Sequence, residues 1–167
     1  PTLDHLAREN APEAPPRPEK MGRATILTSG TTGTPKGANR SNTSGDLTTA
    51  VGFLEKVPYR VGETMLICAP TFHAWGRVNY SMANLFANTL IFHRQFDPER
   101  VLQAIEEQRV DAMAVVPVML NRMLALDPAI IQKYDTSSLR RVGCSGSALP
   151  GELALRWMDT FGDNLHN

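Results

Sequence analysis

The sequence has no excess of charge of either sign, few cysteines and no long apolar run. Lysine plus arginine and aspartate plus glutamate both number 17, so the formal net charge is zero. A nucleic-acid surface normally needs a basic excess, which disfavours that class of partner. No apolar run approaches the roughly 18 residues of a membrane-spanning helix. Cys68 and Cys144 lie in apolar, strand-like runs, which favours buried thiols in a reducing, cytoplasmic compartment over a disulfide.

What the chain does contain, from residue 23 onward, is short apolar runs that alternate with amphipathic stretches. The predicted strands are Ala24–Thr28, Thr64–Ala69, Thr89–His93, Ala112–Val116 and Arg140–Cys144. The predicted helices are Thr43–Val57, Ala74–Ala87, Pro98–Gln108, Val118–Leu126 and Gly151–Phe161. Strands that alternate with helices of this length indicate βαβ units. The predicted fold class is therefore α/β, with a mostly parallel sheet and flanking helices.

The segment Thr28–Gly37, with the sequence TSGTTGTPKG, is the densest group of hydroxyls and glycines in the chain. Glycines let backbone N–H groups approach an anion closely. The hydroxyls add donors, and Lys36 adds a positive charge suited to a phosphate. The spacing fits neither a Walker A sequence nor a dinucleotide-binding fingerprint. We interpret this segment as a polyphosphate-binding loop rather than a plain turn.

Three segments together resemble the adenylate-forming superfamily of acyl-CoA synthetases, peptide-synthetase adenylation domains and firefly-type luciferases. They are Thr28–Gly37, Ala69–Gly76 (APTFHAWG) and Gly143–Pro150 (GCSGSALP), in the family's order. The resemblance covers about residues 23–167 and implies part of the large N-terminal domain of such an enzyme. It also implies that the first segment holds the β- and γ-phosphates of ATP. The positions that match are Thr28, Ser29, Gly30, Thr31, Thr32, Gly33, Thr34 and Lys36.

The resemblance implies roles for the other two segments as well. His73 matches a position beside the acyl carboxylate, and with Lys36 it is a predicted catalytic residue. A carboxylate is already ionised near neutral pH, so His73 would orient it rather than act as a general base. Gly146, Ser147 and Ala148 match positions that border the adenine and the acyl tail. The residues alone also allow a capping histidine and a tight strand-to-helix turn, while Trp75 and Phe72 fit an acyl channel or a core equally well.

The resemblance implies an ATP-dependent fatty-acid–CoA ligase, which is an acid–thiol ligase. It would form acyl-AMP with release of pyrophosphate and then an acyl-CoA thioester. The resemblance implies ATP, Mg²⁺ and coenzyme A, with a fatty acid as the substrate. Two alternatives stay open: an aryl-acid or amino-acid adenylating enzyme of the same superfamily, and a non-catalytic nucleotide-binding module. No aspartate lies where amino-acid adenylating enzymes hold the substrate amine, which weighs against an amino acid.

We also expect the chain to be a piece of a longer enzyme. It begins without methionine and stops where a helix gives way to a new strand. Residues 1–22 are rich in proline and predict a flank or linker, and residues 23–167 predict a partial AMP-binding domain. The resemblance places the Mg²⁺-binding glutamate and a catalytic lysine later, so the piece alone is expected to be inactive. Uncovered sheet edges predict self-association, and a peripheral membrane contact is left open for the longer enzyme.

Overall fold

The computed structural model describes residues 25–28, 36–39, 52 and 54–167. Its first two strands, β1 (Thr25–Thr28) and β2 (Lys36–Asn39), form an antiparallel hairpin in which Thr28 pairs with Lys36. This pairing brings together the two ends of the predicted phosphate loop, whose residues 29–35 lie outside the described residues. The predicted strand at Ala24–Thr28 is confirmed to within one residue. Strand β2 was not predicted, because its residues KGAN carry no β-branched or aromatic signal.

The other five strands form one parallel sheet, which confirms the predicted α/β fold class. They are β3 (Thr64–Ile67), β4 (Thr89–Phe92), β5 (Ala112–Val115), β6 (Arg141–Cys144) and β7 (Leu165–His166). Their order across the sheet is β4-β3-β5-β6-β7. The four predicted strands in this sheet are all present, each one or two residues shorter than predicted. Apolar side chains continue into the adjoining turns, so the sequence pattern alone does not show where the ladder stops.

Five helices connect these strands. They are α1 (Ala74–Leu85), α2 (Pro98–Gln108), α3 (Pro117–Leu124), α4 (Pro128–Gln132) and α5 (Gly151–Phe161). The predicted bounds of α2 and α5 are confirmed, and α1 and α3 differ by one or two residues at their ends. The short helix α4 was not predicted, because five residues are too few to show a helical repeat. Of the predicted helix at Thr43–Val57, residues 52 and 54–56 are helical, and residues 43–51 and 53 lie outside the described residues.

The sheet is buried on both faces, which is why its strands are continuous apolar runs. One face packs Val101 and Leu102 of α2, together with Trp157 of α5, into an apolar core. The opposite face packs Trp75 and Ala83 of α1. All four residues of β5, at the centre of the sheet, are buried. None of the helices in the described part of the chain is long and apolar enough to cross a membrane.

The strand order changes direction at β3. From β3 the chain passes through α1 to β4 on one side, and from β4 it passes through α2 to β5 on the other side. In open α/β sheets, ligands bind outside the carboxyl ends of the strands where such a reversal occurs. The topology therefore directs attention to the residues that follow β3 and β5.

Candidate active site

Two of the three segments that carry the family resemblance lie at this carboxyl edge. Ala69–Gly76 follows β3, and Gly143–Pro150 includes the end of β6, so β5 lies between them. The carbonyl oxygen of Val115, the last residue of β5, accepts a hydrogen bond from the indole Nε1 of Trp75 at 2.9 Å. The same oxygen accepts the backbone N–H of Ser145 at 3.3 Å. One oxygen atom thus joins segments that are 70 residues apart in sequence, from Trp75 to Ser145.

His73 occupies the N-cap position of α1, at the tip of the helix. Its backbone N–H donates to the carbonyl of Pro70 at 3.0 Å, and its own carbonyl accepts from Arg77 at 3.0 Å. Its side chain makes no capping hydrogen bond, is exposed, and lies 4.5 Å from the exposed ring of Phe72. The first turn of a helix carries partial positive charge on its backbone N–H groups. An exposed imidazole at this tip is suited to orient a carboxylate.

Gly76 allows α1 to begin close to the end of β3. A Cβ atom at this position would lie 2.6 Å from the carbonyl oxygen of Ala69 and would also collide with the carbonyl of Pro70. Real Cβ atoms do not approach backbone oxygens this closely, so a larger residue would displace the helix. The glycine therefore sets the position of the helix tip that carries His73.

Trp75 lies behind this tip, half-buried against the sheet. Its ring packs in the apolar cluster that includes Val57, Tyr59 and Ala114, and it lies beside Gly143 of β6. Burial raises the pKa of the Tyr59 phenol well above its usual value, so this hydroxyl stays protonated at neutral pH. Phe72 is 75% exposed and is not a core residue. Trp75 therefore packs against the core while staying only partly buried, and Phe72 does not pack there.

The turn between β6 and α5 places the predicted adenine-binding residues at the same edge of the sheet. Gly146 has a φ of +97°, a left-handed conformation that favours glycine. Ser147 and Ala148 are exposed beside it. Ala148 opens onto a groove of about 360 Å³ between α3 and α5. The groove is also lined by Pro117, Val118, Asn121, Pro150, Glu152, Leu153 and Arg156.

The two cysteines do not supply a nucleophile. Cys68 follows β3 and Cys144 ends β6, and both are free thiols. Burial raises the pKa of each thiol to about 12. A thiolate is the reactive form of cysteine, and it is scarce at neutral pH in such surroundings.

The structure describes only two of the remaining predicted site residues. Thr28 ends β1 and Lys36 begins β2, on facing ends of the hairpin. Ser29, Gly30, Thr31, Thr32, Gly33 and Thr34 lie outside the described residues, so the phosphate-binding role stays a prediction. Within residues 54–167, no three His, Cys, Asp or Glu side chains are grouped so that they could hold a metal ion.

One residue of this region was missed by the sequence interpretation. Asn79 lies on the buried face of α1, one turn after Trp75, with no exposed surface. The available signal was a polar residue at the i+4 position from an aromatic residue, on a helix face that is otherwise apolar.

Comparisons with known proteins identify the family. The chain matches the AMP-binding enzyme family over residues 2–167. It is 38% identical over 136 residues to a feruloyl-CoA synthase from Amycolatopsis sp, covering 80% of this chain and 27% of that protein. It is 34% identical over 151 residues to an indoleacetate–CoA ligase from Aromatoleum aromaticum, covering 87% of this chain and 29% of that protein. The chain thus spans less than a third of the length of these curated relatives.

Solved structures agree with the fold. The N-terminal domain of FACL13 from Mycobacterium tuberculosis is 27% identical with a TM-score of 0.76, and the match covers 94% of this chain and 39% of that one. The amide bond synthetase McbA from Marinactinospora thermotolerans is 28% identical with a TM-score of 0.71, over 84% of this chain and 28% of that one. The parallel sheet and its flanking helices are those of the N-terminal domain of adenylate-forming enzymes. The chain belongs to the AMP-binding enzyme family, within the superfamily of adenylate-forming CoA ligases.

Proposed function

We propose that the protein is an ATP-dependent acid–CoA ligase. A carboxylate oxygen attacks the α-phosphorus of ATP, pyrophosphate leaves, and an acyl-AMP forms. The thiol of coenzyme A then attacks the acyl carbonyl and AMP leaves, which gives the thioester. One observation carries this proposal: Trp75 and Ser145 both donate hydrogen bonds to the carbonyl oxygen of Val115. These bonds bring their two segments together at the carboxyl ends of β3, β5 and β6.

Each segment has a task in this reaction. Negative charge builds on the leaving pyrophosphate, and the backbone, hydroxyl and Lys36 donors of the loop stabilise it as it develops. His73, at the positive end of α1, orients the carboxylate for attack. Gly146, Ser147 and Ala148 offer a surface of small side chains to the adenine. Mg²⁺ bound to ATP would add positive charge on the phosphates, and the described residues contribute no ligand cluster for it.

For the acid, we place an aryl acid before a fatty acid. The resemblance to acyl-CoA synthetases implied a fatty acid, and that prediction stays open. Two named relatives, a feruloyl-CoA synthase and an indoleacetate–CoA ligase, are named for acids that carry an aromatic ring. The indole of Trp75 gives this chain a flat apolar wall behind His73, against which an aromatic ring can stack.

We further propose a cytoplasmic location, supported by the two free thiols. The partners we propose are small molecules only: ATP, coenzyme A and the acid. A peripheral membrane contact stays a prediction.

The first prediction concerns turnover. The protein at its full natural length should release pyrophosphate from ATP only when an acid is added, and aryl acids should be better substrates than fatty acids.

Lys36→Ala should lower kcat/KM for ATP by about ten- to hundredfold, because a charge-assisted hydrogen bond to the leaving group is lost. Lys56→Ala removes an exposed lysine outside the loop and is the matched control. ATP binding without acid-dependent pyrophosphate release would instead indicate a non-catalytic nucleotide-binding module.

A further inference from the structure

An arginine-rich cleft lies between the edge strand β4 and helix α2, and none of its residues belongs to the three segments of the family resemblance. Its volume is about 1220 Å³. Arg94 follows β4, Arg100 lies in α2 and Arg122 lies in α3, and all three line the cleft. Three separate elements of the fold thus contribute an arginine to one cleft.

The positive charge of these arginines is not neutralised by the protein. None of the three forms an ion pair with a carboxylate of the described residues. The cleft is also lined by Asp97 and Glu107, but each already accepts a hydrogen bond, Asp97 from the backbone N–H of Arg100 and Glu107 from the amide of Gln103. Glu107 also lies seven residues after Arg100, which is about 10 Å along the helix axis.

Phe96 fixes the position of one of the three guanidinium groups. The Cζ atom of Arg122 lies 5.0 Å from the centroid of the Phe96 ring. Phe96 is itself partly buried against the apolar core, so the ring is a firm support. A cation–π contact orients a guanidinium group without neutralising its charge. Because Phe96 follows Arg94 by two residues, this contact brings Arg122 to the same end of the cleft.

His93 adds an unpaired nitrogen to the same end. It directly precedes Arg94 and lines the cleft. Its Nδ1 is buried and has no hydrogen-bond partner among the described residues. Buried polar atoms are nearly always paired, and a protonated Nδ1 is a donor. An anion in the cleft would supply the missing partner.

We propose that this cleft binds a diphosphate group through Arg94, Arg100 and Arg122, with His93 as a further donor. A guanidinium group binds phosphate oxygens through two parallel N–H···O bonds. A diphosphate group has more acceptor oxygens and more negative charge than a single phosphate or a carboxylate, so it matches three arginines better. The inference does not depend on the proposed function, because it concerns residues to which that reaction assigns no task.

The test measures the binding of pyrophosphate by calorimetry, with the protein at its full natural length and without Mg²⁺. Every protein in the series carries Lys36→Ala, so that the predicted phosphate loop contributes little. Arg100→Gln combined with Arg122→Gln should weaken the affinity at least about tenfold, because charge-assisted hydrogen bonds are lost. Arg140→Gln removes an exposed arginine just before β6, outside the cleft, and should leave the affinity unchanged.

Two sources of the diphosphate group are distinguished by a second titration, with coenzyme A, whose nucleotide carries such a group. A parallel loss of coenzyme A affinity in the double arginine variant would assign the site to that nucleotide. An unchanged affinity for coenzyme A, together with the loss for pyrophosphate, would assign the site to free pyrophosphate.

Thermal unfolding gives an independent readout. Pyrophosphate should raise the unfolding temperature of the protein with all three arginines more than that of the double variant, because a ligand that binds the folded state stabilises it. The three arginines are exposed, so the double variant is expected to fold.

Three results would overturn the inference. They are an affinity for pyrophosphate that the double variant retains, an equal loss in Arg140→Gln, and an affinity for inorganic phosphate as high as that for pyrophosphate. None of them bears on the ligase, which is judged by acid-dependent release of pyrophosphate from ATP in the protein with Lys36 intact.

Discussion

At the scale of single residues, backbone oxygens organise the candidate site. The carbonyl of Val115 receives two donors, one from each segment that follows a strand. The carbonyls of Ala69 and Pro70 lie so close to Gly76 that they define how near α1 can approach. A sequence pattern reports the types of side chains and not the positions of backbone oxygens. Neither arrangement was therefore predictable, although Gly76 itself lies in one of the three segments that carry the family resemblance.

This proximity gives the second prediction. Gly76→Ala should destabilise the protein by about 1–3 kcal/mol, the usual cost of overpacking, because the new Cβ meets backbone atoms that cannot rotate away. In an unconstrained helix the same substitution is stabilising by about 1 kcal/mol. Gly151→Ala is the matched control, since nothing lies within 4 Å of its added Cβ. Urea unfolding measures both variants.

The displaced helix should also alter the site. In Gly76→Ala, the KM for the acid should rise more than the KM for ATP, because His73 moves with the tip of α1. An unchanged stability together with an unchanged KM for the acid would show that the helix tip can relax without cost.

At the scale of elements, local signals decided which parts were predictable. Helix α2 has both its bounds confirmed because Asp97 and Pro98 mark its start, and the carboxylate of Asp97 accepts the N–H of Arg100 at 3.0 Å. Strand β2 has no such signal, since its conformation depends on its pairing with β1. Helix α1 was predicted as an element, but which of its faces is buried, and so whether Asn79 points inward, depended on the packing of α1 against β3 and β5, a tertiary feature.

Strand β4 gives the third prediction, which tests the expected self-association. Among the described strands, β4 pairs on one side only, with β3. Phe92 at its end is 47% exposed and lies 6.2 Å from the exposed ring of Tyr80. We expect the 167-residue chain to form dimers at high concentration through this edge, and Phe92→Lys to restore the monomer, because a charged residue protects an edge strand.

Light scattering after size exclusion measures the mass of each variant. Val118→Lys is the control, because Val118 is 61% exposed on α3, away from the strand edge. A wild type that stays monomeric at every concentration would contradict the expectation, as would a dimer that both lysine variants leave intact.

At the scale of the whole molecule, the amino ends of the strands are tied together by polar groups, opposite to the candidate site. Glu63, just before β3, forms a buried ion pair with Arg141 at the start of β6, and accepts the N–H of Arg60 at 3.0 Å. Ala112 of β5, the strand between β3 and β6, is opposite Arg141 in the sheet. Burial lowers the pKa of Arg141, a measure of the cost of desolvating its charge. A buried ion pair thus joins the amino ends of β3 and β6, on the opposite side of the sheet from the candidate site.

The last prediction follows from this network. Arg141→Met should destabilise the protein by about 3–5 kcal/mol, because it leaves the buried carboxylate of Glu63 without its partner. Glu63→Leu combined with Arg141→Met should recover most of that loss, since a buried ion pair and an apolar pair of similar volume are often equivalent. Arg109→Met, which breaks an ion pair whose side chains are 64% and 51% exposed, should leave the unfolding midpoint nearly unchanged. Urea unfolding of the wild type and these three variants decides between two roles for the ion pair. A double variant as unstable as Arg141→Met alone would show that the ion pair itself stabilises the sheet. Recovery of stability would show that the ion pair mainly fixes the positions of β3 and β6 on either side of β5.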